Sequence, residues 1–104
     1  MIDKNELEEI LESGKPIVIV VGNTSYKDIQ TRNALKENNF DWEKDIRAWM
    51  FGTISTYSDL NREWIKKTYS AITKYNNSYN KGLKIKILYD EDFDRMKAQK
   101  IAFK

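Results

Sequence analysis

The sequence contains no cysteine and no histidine. Without a thiol there is no disulfide and no thiolate nucleophile. With both residue types missing, zinc loses its ordinary ligands. The usual general base near neutral pH is missing too. Any catalysis would rest on carboxylates, tyrosine or lysine, and no nucleophile–base pair stands out among them. "VVGNTS" holds one glycine and no GK[ST], which excludes a Walker phosphate loop. No apolar run approaches the ~18 residues of a membrane-spanning helix. The acidic start "MIDKNELEEILESGK" does not read as a secretory signal. The expectation is a cytoplasmic, non-enzymatic protein that needs no metal and no cofactor and has no membrane partner.

What is present is charge and aromatic mass. The 104 residues are 33 % charged, 40 % apolar and 12 % aromatic, which suits one folded domain. The net charge of +2 is unevenly spread. Residues 1–12 carry a net −4, residues 13–89 a net +6, and residues 90–104 balance. A basic middle suits a polyanion, and it equally suits a solvated lysine-rich face.

Periodicity divides the chain into five stretches without repeats or long linkers. Residues 1–14 read as an acidic helix, with Asp3 and Glu6 as a capping box, an apolar stripe of Leu7, Ile10 and Leu11, and Gly14 past its end. Residues 16–51 read as strand, helix and hairpin. "PIVIVVG" is a strand buried on both faces. Ser25 with Asp28 predicts a helix start there. Tyr26, Ile29 and Leu35 then face the sheet, and the helix fades at Asn38 and Asn39. Phe40–Trp42 and Ile46–Phe51 are the hairpin strands. Residues 56–78 form the longest helix, with Leu60, Trp64, Thr68, Ile72 and Tyr75 recurring as a core stripe and Ile65 and Tyr69 beside them. Residues 83–89 alternate as a half-buried strand. Residues 90–104 form a closing helix capped at Asp90. A strand, a helix and then another strand imply a crossover unit. The expected fold is α+β, one domain with a mixed sheet of about four strands and helices packed on it.

The span "GNTSYKDIQTRNALKENNFDWEKDIRAW" resembles a short module of phage and plasmid proteins. That module runs G-x-T-Y, a lysine-bearing helix, L-K-x-x-G-x-x-W, then Lys or Arg and a second Trp. Gly22, Thr24, Tyr26, Lys27, Leu35, Lys36, Phe40, Trp42, Arg47, Ala48 and Trp49 take the matching positions. Ser25 interrupts T-Y, and Asn39 stands where glycine is usual, as its tolerance of left-handed backbone permits. "DWEKDIRAWMF" followed by "YSDL" is similar to the HARP domain of annealing helicases. The resemblance implies a small sheet domain that attaches proteins to DNA structures, encoded by a phage or mobile element and acting in the host cytoplasm.

The candidate nucleic-acid-binding residues are Lys27, Arg32, Lys36, Trp42, Arg47 and Trp49. The cations would meet phosphates, and an exposed indole would stack a base. Single-stranded or forked DNA is the favoured partner. Lys66, Lys67, Lys74, Lys84 and Lys86 extend the basic surface. Hairpin register decides whether Trp42 and Trp49 are core or surface, and the sequence leaves it open. Trp64, on its stripe, is expected in the core. Asp41, Glu43 and Asp45, and Asp90, Glu91, Asp92 and Asp94, have the chemistry of Mg²⁺ ligands, but they sit at a hairpin tip and a helix start. The alternative function is docking on a protein, either a replication protein or a host defence nuclease inhibited in the manner of an anti-CRISPR.

Overall fold

The computed structural model describes residues 4–103. The predicted capping residue Asp3 lies outside them. Strand β1 (Ile17–Gly22) is buried at every position. Ile17, Ile19 and Val21 face one core, while Val18 and Val20 face another. That two-sided burial matches its unbroken β-branched run.

Helix α2 (Ile29–Glu37) leads from β1 to the hairpin of β2 (Phe40–Glu43) and β3 (Ala48–Ile54). Helix α3 (Asp59–Tyr79) leads on to β4 (Lys84–Tyr89). The sheet order is β2-β3-β1-β4, and every pairing is antiparallel. The α+β class and the four strands match expectation; the sheet, expected to be mixed, is antiparallel throughout. The crossover exists, since β1 and β2 run the same way, but β3 is inserted between them. In the same manner β1 separates β3 from β4. This is the split βαβ of the ferredoxin-like arrangement. The hairpin's composition explains the insertion. Ala48, Trp49 and Phe51 are buried, whereas β2 exposes Asp41 and Trp42. The more apolar strand takes the inner position and the amphipathic one the edge.

Helix α1 (Lys4–Glu12) buries Leu11 and packs Leu7 and Ile10 on the same core face as α2 and α3. Past its end Gly14 is left-handed at φ +73°, with the Tyr57 ring 2.7 Å from where a Cβ would stand. Helix α2 starts later than expected. Asp28 is its N-cap, accepting from the Thr31 N–H, while Ser25 only accepts from the Lys27 N–H in a local turn. The later start turns Thr31 and Leu35 inward and leaves Tyr26 and Ile29 exposed. Helix α3 is capped by Ser58 and ends on left-handed Asn80. It buries Ile65, Thr68, Tyr69 and Ile72. All four were among the expected apolar positions, but the buried arc is centred on the Ile65 and Tyr69 side, so Leu60 is exposed and Trp64 is 46 % exposed rather than core.

Helix α4 (Asp90–Ala98) covers the opposite face with Phe93 and Met96. Its N-cap is Tyr89, not Asp90, and no side chain caps it. Asp90 instead ties elements together. Its N–H donates to the Pro16 carbonyl, and its carboxylate accepts from the Thr53 hydroxyl. The chain then turns at Lys100, whose φ is +53°. The Phe103 N–H donates to the Ile46 carbonyl at 2.8 Å. The Phe103 ring fills the space a Cβ on Gly22 would need, 2.6 Å away.

Candidate nucleic-acid interface

Hairpin register answers the question of the two tryptophans. Trp42 pairs with Trp49, and Phe40 with Phe51, across β2 and β3. All four rings therefore share one sheet face. The indoles meet edge to face at 5.7 Å and 67°. Trp49 is buried, and Trp42 at the sheet edge is 50 % exposed. Trp49 is thus the support and Trp42 the accessible ring.

The opposing wall is the flank of α2. Arg32 and Lys36 stand four residues apart and so project from one side of the helix. Left-handed Asn39, at φ +67°, turns the chain from α2 into β2. The hairpin turn places Arg47 at φ +53°, its N–H donating to the Lys44 carbonyl. These pieces enclose a cleft of about 1100 Å³ lined by Tyr26, Arg32, Lys36, Trp42, Arg47 and Trp49, among others. Five of the six candidate residues therefore come together. The sixth, Lys27, is not among the lining residues; its ammonium lies over the Tyr26 ring at 5.8 Å. Tyr26 was missed as a site residue because it was expected to face the sheet. The signal was the "NTSY" run after the buried strand, whose local turn leaves no helix to carry Tyr26 inward.

Several cations outside the cleft are held in ion pairs. Arg62 pairs with Asp59, Lys81 with Asp28, Arg95 with Asp92, and Lys97 with Glu43. Lys66 is shared by Glu8 and Glu63. Arg32, Lys36 and Arg47 have no ion-pair partner among the described residues; Arg32 donates only to the Tyr26 carbonyl, at 3.2 Å. Asp41 also lines the cleft without neutralising them. Three unpaired cations beside an open indole are suited to an anion that carries flat rings.

The other candidates fall elsewhere. Lys66, Lys67, Lys74, Lys84 and Lys86 do not line the cleft. Among the described residues the acidic sets form no cluster able to hold a metal ion. Glu43 is engaged by Lys97, Asp90 by Thr53, and Asp92 by Arg95. Among the described residues no helix is long and apolar enough to cross a membrane. The sheet face under α4 is filled by aliphatic side chains, methionines and the buried rings of Phe93 and Phe103, so it offers no open stacking platform. No family model matches the chain, and neither a curated protein nor a solved structure matches it.

Proposed function

We propose that the protein is a non-enzymatic nucleic-acid-binding module that holds single-stranded or forked DNA in the cleft between α2 and the hairpin. One observation carries this reading: Arg32, Lys36 and Arg47, without ion-pair partners among the described residues, line the same cleft as the half-exposed ring of Trp42. Arginine forks match phosphate oxygens in pairs, and lysine adds a mobile point charge. The cations set affinity, and Trp42 stacks a base without choosing its identity. Trp49 behind it holds the ring in place. The phage or plasmid setting and the cytoplasmic location follow from the module the hairpin resembles and belong to the same proposal.

Fluorescence anisotropy with single-stranded, forked and duplex oligonucleotides at two salt concentrations tests it. Three phosphate contacts give a log–log salt slope of about −2 for a single strand. Lys36→Glu with Arg47→Glu lowers affinity at least tenfold and leaves the circular dichroism unchanged. Trp42→Ala weakens single-strand and fork binding more than duplex binding, by roughly 1–3 kcal/mol. If no oligonucleotide binds tighter than about 100 μM at low salt, a range non-specific binders reach, the reading fails and docking on a protein replaces it.

A further inference from the structure

The aromatic contacts continue past the hairpin. Phe40 meets Phe51 at 5.7 Å, and Trp64 of α3 meets Phe51 edge-on at 5.1 Å and 82°. The rings fall into two contacting sets, Trp42 with Trp49 and Phe40 with Phe51 and Trp64, whose buried members Phe40, Trp49 and Phe51 share one core. The outer members, Trp42 and Trp64, are each about half exposed. At the Trp64 end lies a shallow hollow of about 510 Å³ lined by Glu63, Trp64, Lys66 and Lys67. Lys66 is offset by Glu8 at 3.1 Å and Glu63 at 3.8 Å. Lys67 is exposed, lies one turn from Trp64 on the same side of α3, and has no ion-pair partner among the described residues. A half-exposed indole beside an unpaired cation repeats, at smaller scale, the composition of the cleft.

We propose that Trp64 and Lys67 form a second station for the strand held in the cleft, with Trp64 stacking a base and Lys67 meeting a phosphate. The proposal rests on the cleft reading. Adding the ring separations of 5.1 and 5.7 Å to one two-residue step along β3 of roughly 7 Å puts the stations on the order of 18 Å apart. A strand of several nucleotides spans that gap, and one nucleotide does not. The occupant is the continuation of the same single strand. The free charge on Lys67 and the short separation from the cleft argue for it, while Glu63 keeps phosphate to the Lys67 side of the ring.

The test is anisotropy with labelled oligothymidylates from about 4 to about 16 nucleotides, the span of known single-strand site sizes. Wild type is compared with Trp64→Leu and Lys67→Glu. Leucine keeps an apolar contact on Phe51 but removes the broad π face, and Lys67→Glu alters only an exposed side chain. Wild-type affinity should rise with length. Both variants should bind the shortest strand as wild type does. On the longest they should lose affinity, Trp64→Leu roughly five- to a hundredfold. Equal loss at every length, or none at the longest, overturns the second station while leaving the cleft standing. Failure of wild type to bind any length overturns the cleft and the second station together. If Trp64→Leu does not fold, Lys67→Glu decides by the same criterion.

Discussion

Arg47 occupies a backbone position that its side chain does not favour. Among the described residues five non-glycine ones have positive φ, and three of them are asparagines, a residue that tolerates this region. Arg47 is one of the other two and faces the cleft. Left-handed geometry costs an ordinary residue about 1–2 kcal/mol, so Arg47→Gly and Arg47→Ala should separate two effects. Both remove the cation and should weaken oligonucleotide binding equally. Only alanine keeps the backbone penalty, so thermal denaturation should place the glycine variant about 4–8 °C above it for ~1 kcal/mol. Asp28 supplies a second residue-scale test. Hydrogen bonds from the Thr31 hydroxyl and N–H, helped by Lys81 at 3.1 Å, hold its carboxyl below the usual aspartate range. A depressed folded-state value means stability present above the unfolded value of about 4 and lost as pH falls through the folded one. Asp28→Asn should therefore melt below wild type at neutral pH, and the gap should close toward pH 2 in a pH series of melts. Of the site, the residues with strong chemical identity were legible: Trp42, Arg32, Lys36 and Arg47. Tyr26 was not, because a few local hydrogen bonds, from the Lys27 N–H to the Ser25 hydroxyl and from the Asp28 N–H to the Ser25 carbonyl, set a turn before the helix.

At the scale of elements, local pattern specified what each segment is, but not its neighbours. Helix α3, β1, β4 and the hairpin were legible because their periodicities run long enough to outweigh single residues. The inner position of β3 was not, since a hairpin can dock through either strand. The exposure of Trp64 was hidden for a related reason. Its stripe borders the buried arc of α3, and a rotation of one residue, about 100°, decides which side is covered. The contact between the C-terminal tail and β1 was invisible locally, because it joins Gly22 to Phe103 across nearly the whole chain. That contact makes a prediction. Gly22→Ala places a methyl against the Phe103 ring, and overpacking of this kind costs about 1–3 kcal/mol. The midpoint of urea denaturation should fall, and adding Phe103→Leu should recover part of the loss. A double-mutant cycle in urea reads the coupling directly.

The whole molecule is organised about β1, which lies between β3 and β4 and contributes side chains to both cores. Ile19→Asp buries an unpaired carboxylate there at a cost of several kcal/mol and should leave no cooperative thermal transition; a soluble protein with a sharp one would refute the central placement. The same placement has a consequence for how the protein is made. "IVIVV" leaves the ribosome before both strands that cover its edges, and of those two β4 follows β3. During synthesis at about 5–20 residues per second, an apolar β-branched segment waits for seconds with its hydrogen-bonding edges unsatisfied. Such a segment is a template for pairing between chains. Lys84 and Lys86 guard the outer strand of the finished sheet, but nothing guards β1 before they arrive. A chain ending at Gly82 should consequently partition into the insoluble fraction on expression, and a chain that includes β4 should depend on holding chaperones until that strand emerges.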